Sequence, residues 1–195
     1  MLSVNSVHFV IEISGELIDT DASSPMALKQ AEGDLVRPDR VRAIVTVSSF
    51  GTVTKVGFID LEGEQYITNP FTQQWERLPS GLGWYLDPAL LFDSEHGIDA
   101  LLTGASWVYG TNEGSEAQAY YRLYGQLPGE QLWSLTFGQI GSGDVTVDVW
   151  VSREDYYVHR IELVELDSDP EEPTRWLIQL SAFDEPVDIE APPIP

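Results

Sequence analysis

Alternating apolar and polar residues mark out most of this chain, and the clearest case is the stretch from residue 144 to residue 166. Four valines occupy every second position from 145 to 151, a spacing that places them on one face of a β-strand. After the polar run 152–155, the alternation resumes over residues 157–163. The pattern predicts a long antiparallel hairpin with a tight connection.

The same alternation recurs along the chain and predicts about ten strands in total. Turn-forming residues separate neighbouring strands, for example at Arg37-Pro38-Asp39 and at Glu62-Gly63. These closely spaced strands are typical of a meandering antiparallel sheet, and the proline-containing end of the chain is expected to be an extended tail from residue 187. Outside the hairpin, the predicted strands cover residues 7–14, 26–35, 40–49, 53–60, 64–68, 75–78, 106–109, 117–126 and 175–183.

Three short segments have a helical pattern instead. Asp87-Pro88 combines an N-cap aspartate with proline at the first helical position, which predicts a short helix up to Phe92. Ser94 is expected to cap a second helix, which ends at Gly104. Residues 128–137 are apolar nearly all round, as in a helix that is buried on more than one side.

These elements predict an α+β fold that is mostly β, organised as one domain over residues 1–195. A sheet of about ten strands curls because twist accumulates from strand to strand. Its concave apolar face needs a cover, and the three short helices supply it. We therefore expect a half-barrel with helices on the concave face, which either packs solidly or leaves an apolar cavity between sheet and helices.

The amino-acid composition makes some classes of binding partner and chemistry improbable. The chain has 32 acidic and 10 basic residues and a formal net charge of −22, which repels nucleic acid and anionic surfaces. Cysteine is absent, so disulfides and thiolate chemistry are excluded. No stretch reaches the ~20 apolar residues of a transmembrane helix, and the first residues do not resemble a signal peptide. Because a strand begins almost at once, we expect that Met1 is an engineered start and that upstream residues were removed.

No catalytic or metal-binding pattern emerges from the polar residues. The three histidines lack metal-ligand spacing, although His8 and His159 lie on predicted strands and could meet across the sheet. Serine occurs in no nucleophile-elbow context, and Asp167-Ser168-Asp169 lacks the rest of a calcium loop. The strand carboxylates are expected to be solvated or structurally paired; they are Glu12, Asp148, Glu162 and Glu165. We predict a protein that is not an enzyme and that uses no cofactor, metal or catalytic residue.

Several stretches, in this order along the chain, resemble the LppX/LprAFG family of bacterial envelope lipoproteins. None is specific alone, and the resemblance depends on their order across nearly the whole chain. They are SVHFVIEISG (6–15), AEGDLVRPDRVRA (31–43), YITNPFTQQWERLP (66–79), LDPALLFDSEHGIDALL (86–102), VDVWVSREDYYVHRIEL (147–163) and FDEPVDIEAP (183–192).

The resemblance implies a half-barrel similar to the LolA and LolB carriers of the lipoprotein-localisation pathway. It also implies a function, because family members are implicated in carrying acylated lipids or glycolipids across the cell envelope. Such proteins are exported and anchored by an N-terminal lipid at the outer face of the cytoplasmic membrane. The given chain departs from this pattern, since it lacks a signal peptide, a lipobox cysteine and most of the helix that precedes the first strand.

We therefore expect a monomeric lipoprotein that binds or transfers acylated lipid or glycolipid in the apolar cavity. The alternatives are an envelope interaction module that uses its acidic outer face and holds no ligand, and an acid/base hydrolase. The lipid-binding candidates could equally pack against each other as an ordinary core. They are Phe9, Ile11, Val45, Val47, Phe58, Val147 and Val149 on strands, with Leu91, Phe92, Leu101, Leu102, Leu132 and Leu135 on helices.

Overall fold

The computed structural model describes residues 4–15, 27–49, 52–79, 91, 97–110, 113–115, 118–133, 135–136, 138–169 and 171–194. Within these ranges lie twelve strands, one α-helix and one 3-10 helix. The strands are β1 (Ser6–Ser14), β2 (Ala27–Val36), β3 (Arg40–Ser49), β4 (Thr52–Leu61), β5 (Glu64–Thr68), β6 (Trp75–Arg77), β7 (Val108–Tyr109), β8 (Glu113–Ser115), β9 (Gln118–Pro128), β10 (Asp144–Ser152), β11 (Val158–Glu165) and β12 (Thr174–Ser181). The helices are α1 (Ile98–Gly104) and the 3-10 helix Gly129–Leu132.

All twelve strands form one open antiparallel sheet, as predicted. The strand order is β6-β5-β4-β3-β2-β1-β12-β11-β10-β9-β7, and β8 also pairs with β9. Two meanders, β1 to β6 and β9 to β12, are therefore joined where β1 pairs with β12. Phe9 faces Leu180 of β12 on one side and Gly33 of β2 on the other.

Gly33 marks a close approach of two strands within the sheet. A Cβ atom at this position would lie only 2.2 Å from the backbone oxygen of Arg42 on β3. A glycine in a strand interior weakens the strand, and it is retained where another backbone comes this near. The missing side chain of Gly33 therefore allows the backbones of β2 and β3 to lie this close together.

Because successive side chains of a strand point to opposite faces, every second residue of these strands is buried in the interior. On β1 and β12 the buried positions alternate regularly, with Phe9 and Ile11 facing Leu180 and Ile178. The same alternation continues through Val145, Val147 and Val149 of β10 and into β11. The apolar concave face runs across the sheet from β4 to β10, and the helical residues Ile98 and Leu101 belong to the same buried cluster.

The helix predictions had mixed outcomes. The second helix is confirmed as α1, which begins at Ile98 with Gly97 at its N-cap position, whereas Ser94 lies outside the described residues. Of the first predicted helix, only Leu91 is described. None of the helices in the described ranges is long and apolar enough to cross a membrane.

The third predicted helix, residues 128–137, is wrong in extent. Strand β9 continues to Pro128, which pairs with Asp144, and among the described residues of 129–137 the 3-10 helix is confined to Gly129–Leu132. The apolar pattern arises because an irregular segment buries its side chains on the concave face, and burial alone does not require a helix. The strand predicted at 106–109 is likewise shorter, and β8 was not predicted.

Candidate functional site

The predicted lipid-binding residues lie together on the concave side of the sheet. All of those on strands are almost fully buried, and so are Leu91, Leu101, Leu132 and Leu135. Leu102 is partly buried and packs against the same apolar cluster, whereas Phe92 lies outside the described residues. We call this group of buried apolar residues the concave cluster. Their role in lipid binding stays a prediction.

The sheet alone does not bury the concave cluster. In the described part of the chain, its cover includes Leu91, α1 and residues of the segment 129–143, which connects β9 to β10. The indole N–H of Trp107 donates to the backbone oxygen of Leu102 at 2.7 Å and so ties the end of α1 to the chain that follows it. The Trp107 ring also lies 3.4 Å from the position that a Cβ of Gly125 would occupy, which places it against β9.

The connection between β9 and β10 is a compact loop with a closed neck. Adjacent antiparallel strands can be joined by two residues, yet here fifteen positions intervene. The Gly129 N–H donates to the Gly143 oxygen at 2.8 Å, so the two ends of the loop meet, as in an Ω-loop. Leu132, Leu135 and Ile140 from this loop are almost completely buried in the concave cluster.

Two side-chain hydrogen bonds connect this loop to β2 and to β11. The Gln139 side-chain oxygen accepts the Leu28 N–H of β2 at 2.9 Å, at a register shift in that strand. The Glu165 carboxylate of β11 accepts the Gly141 N–H, also at 2.9 Å. Because β2 and β9 are five strands apart, or roughly 24 Å along the sheet, the loop spans much of the concave face.

Glu165 is an acidic side chain in the apolar interior. It is only 1% exposed and continues the inward-facing positions Ile161 and Leu163. Burial raises the pKa of its carboxyl group, and the nearby Asp167 acts in the same direction. Its second oxygen has no hydrogen-bond partner among the described residues. Of the two predicted alternatives, solvated or structurally paired, Glu165 fulfils the second through its hydrogen bond from Gly141. The spacing 161, 163, 165 was the signal that it faces inward.

The two strand histidines do not form a joint site. His8 Nδ1 lies 2.9 Å from an oxygen of Asp34, whose other oxygen accepts a hydrogen bond from Arg42 at 3.0 Å. Burial alone raises the pKa of Asp34, but the hydrogen bonds from His8 and Arg42 lower it overall. His159 pairs with Asp155 at 3.0 Å. Each histidine thus contacts a different carboxylate.

The convex face carries paired charges. Glu162 accepts hydrogen bonds from Arg160 and Arg175, and Asp148 accepts one from Arg122. A groove of about 440 Å³ follows this face. Its lining mixes charged, polar and apolar residues and consists of Glu12, Ile13, Ser14, Lys29, Gln30, Arg160, Glu162, Arg175, Trp176 and Leu177.

The C-terminal tail packs against a second, smaller apolar cluster. The tail is extended, as predicted, and its Ile189 is buried against Ile59 and Tyr66. Close to β1, the Asn5 N–H donates to Asp184 Oδ1 at 2.7 Å. The Ser6 hydroxyl donates to the Glu185 backbone oxygen, also at 2.7 Å. The tail is therefore fixed to the sheet well before it reaches the second cluster.

Comparison with known proteins agrees with this architecture. The model of the LppX_LprAFG lipoprotein family matches residues 1–189, which confirms the predicted resemblance. LprF from Mycobacterium bovis has a crystal structure with a TM-score of 0.73 at 16% identity, covering 98% of this chain and 90% of its own. For lipoprotein LppX from Mycobacterium tuberculosis the TM-score is 0.62 at 17% identity, with 96% and 91% coverage. No curated protein matches the chain in sequence.

Proposed function

The chain belongs to the LppX_LprAFG lipoprotein family, and on that premise we propose that it binds acylated lipid or glycolipid between the concave face of its sheet and the cover, and transfers it within the cell envelope. The observation that carries the proposal is the concave cluster itself. It joins residues of β1, β4 and β10 to residues of α1 and of the 129–143 loop in one buried apolar group.

Acyl chains suit such a region because they need no polar recognition. Each methylene that moves from water to an apolar site gains about 0.8 kcal/mol, so two acyl chains supply ample binding free energy. Glu165, Thr136 and Thr174 are polar residues buried near the closed neck of the loop. A lipid that lies along the concave cluster therefore meets apolar side chains over most of its length.

The cover is suited to exchange its contacts for those of a lipid. The loop between β9 and β10 places the side chains of Leu132, Leu135 and Ile140 in the interior. Displacement of this loop breaks no strand pairing between β9 and β10. An acyl chain that displaces these side chains replaces one set of apolar contacts with another, so the cost of opening lies mainly in the two hydrogen bonds that Gln139 and Gly141 make to β2 and β11. Loading thus requires movement of the cover and leaves the sheet intact.

The remaining parts of the proposal concern location and mode of action. We place the protein in the cell envelope, at the outer face of the cytoplasmic membrane, held by a lipid on a cysteine upstream of the given chain. It acts as a monomeric carrier and performs no covalent chemistry. The family membership supports this placement.

A matched pair of variants tests lipid binding in the concave cluster. Leu135 is buried there, whereas Trp133 of the same loop is 59% exposed. We expect Leu135→Gln to reduce the uptake of a fluorescent fatty acid severalfold, while Trp133→Gln binds as the wild type does. Circular dichroism establishes that both variants are folded.

Mass spectrometry of organic extracts from the purified wild-type protein provides the second measurement. A co-purifying acylated lipid is expected. Repeated absence of lipid, together with no fatty-acid binding by the wild type, would overturn the proposal. That result would favour the interaction module that uses its acidic outer face.

A further inference from the structure

The turn between β5 and β6 exposes a phenylalanine at its tip. Phe71 is 94% exposed, more than any other large apolar side chain in the described part of the chain. The turn begins at Asn69, after β5, and ends before Trp75, where β6 starts. A single exposed apolar residue needs no explanation by itself, so the organisation of the turn decides what Phe71 does.

Asn69 organises this turn through both ends of its side chain. Its side-chain oxygen accepts the N–H groups of Phe71 at 2.9 Å and of Thr72 at 3.1 Å. Its amide nitrogen donates to Glu76 on β6 at 2.8 Å. The Gln73 side chain donates to the Pro70 oxygen at 3.0 Å, which ties the two sides of the tip together.

Every backbone N–H group of the turn is satisfied internally. The Asn69 N–H donates to the Gln74 oxygen and the Gln73 N–H to the Asn69 oxygen, at 2.8 and 2.9 Å. The Gln74 N–H reaches the Thr72 hydroxyl at 3.4 Å, and Pro70 has no N–H. Together with the bonds to the Asn69 side chain, no backbone donor of residues 69–74 depends on water or on a partner.

The turn also carries no charge. Residues 69–75 are Asn, Pro, Phe, Thr, Gln, Gln and Trp, in a chain whose formal charge is −22. The nearest charges lie on the strands below the tip: Arg77 forms a salt bridge with Glu64, and Glu76 is exposed on β6 and accepts from Asn69. Entry of the tip residues 70–74 into a medium of low dielectric constant therefore buries no ionised side chain, provided that Glu76 stays at the level of the headgroups.

We propose that the β5–β6 turn is a membrane-contact site, which inserts Phe71 into the boundary between headgroups and acyl chains of a phospholipid bilayer. Insertion at this boundary leaves no backbone donor of the turn unpaired, and the carbonyl groups at the tip accept hydrogen bonds from water in the headgroup region. The tip is ordered before contact, which lowers the entropic cost of insertion. The absence of charge favours a bilayer over a polar protein surface.

This inference goes beyond lipid binding in the concave cluster. A protein could hold lipid there without touching a membrane at residue 71, and it could touch a membrane while its interior stays packed. The two proposals therefore fail separately.

Vesicle flotation with large unilamellar vesicles of phosphatidylcholine tests the membrane contact. Val53 of β4 serves as the matched control, because it is also apolar and exposed but lies outside the turn. We expect Phe71→Ser to lower the vesicle-bound fraction about tenfold, as expected for loss of one buried aromatic side chain. Val53→Ser should leave it unchanged, and Phe71→Leu should retain most of it.

The outcomes separate this proposal from the previous one. Phe71→Ser is expected to bind the fluorescent fatty acid as the wild type does, since Phe71 does not belong to the concave cluster. No vesicle binding by the wild type, or equal loss in the Phe71 and Val53 variants, would overturn the membrane-contact site. Vesicle binding by a protein that neither binds the fatty acid nor co-purifies with lipid would support the contact site and refute lipid carriage.

Discussion

The guanidinium carbon of Arg160 lies 4.5 Å from the centre of the Trp150 ring on the convex face of the sheet. Arg122 approaches the same ring at 5.2 Å from the opposite neighbouring strand. Both contacts follow from the strand register, because Trp150 of β10 faces Arg122 of β9 and Arg160 of β11. A tryptophan on the outer face of a single-layer sheet is thereby left only 8% exposed.

Replacement of this tryptophan is expected to destabilise the protein. Trp150→Ala removes a large buried ring and two cation–π contacts, for which we expect a loss of about 3 kcal/mol in the free energy of unfolding. Urea denaturation followed by circular dichroism measures it. Tyr124→Ala is the control, because Tyr124 is exposed and lies one strand away, and its cost should be under about 1 kcal/mol. Equal losses in both variants would contradict the special role of Trp150.

The buried carboxyl of Glu165 is expected to make stability depend on pH. Its pKa is raised in the folded state, so the native protein binds this proton more tightly than the unfolded chain does. The corresponding stabilisation is present at low pH and is lost as pH rises through the folded pKa. Glu165→Gln keeps an acceptor for the Gly141 N–H and removes the charge.

The difference between wild type and Glu165→Gln isolates this group. We expect the variant to gain stability relative to the wild type as pH rises from the unfolded-state pKa of Glu165 to its raised folded-state pKa, with a constant difference below and above this interval. Urea denaturation at a series of pH values measures the two curves. A pH-independent difference would mean that Glu165 does not titrate differently in the folded and unfolded states.

The C-terminal tail is expected to stabilise the sheet through Ile189. This side chain is 4% exposed in the second apolar cluster, whereas Ile194 of the same tail is 49% exposed. We expect Ile189→Ala to cost about 2 kcal/mol, because it leaves a cavity over Ile59 and Tyr66. Ile194→Ala should be neutral. Thermal or urea denaturation distinguishes them, and equal effects would show that the tail contributes nothing at Ile189.

The strands could be predicted from the sequence because their apolar residues repeat every second position. Residues 40–49 and 64–68 were predicted with the observed bounds. The loop after β9 could not be, because its leucines are buried by an irregular backbone that the period does not reveal. Its anchors were also unpredictable, since Gln139 and Leu28 are 111 residues apart in sequence.

Prediction of the candidate site was successful for burial and incomplete for polar contacts. The predicted lipid-binding residues that the structure describes, from Phe9 to Val149, all lie in or against one apolar cluster. The regular spacing of apolar residues along the strands and helices indicated this burial. Whether a lipid occupies that cluster is a matter of volume, and residue types do not distinguish a packed core from a cavity. The burial of Glu165 was missed because acidic residues are usually solvated. Only its position, two residues after Leu163 and four after Ile161, indicated that its side chain faces the interior.

The position of β1 has a consequence for how the chain folds. Among the described strands β1 comes first in the chain, yet one of its two edges pairs with β12, which comes last. Until that pairing forms, the N–H and C=O groups of β1 that pair with Thr174–Ser181 are available to any other strand. A folding chain in which β12 has not yet joined β1 is therefore exposed to aggregation at this edge, and the two meanders become one sheet only when this pairing forms.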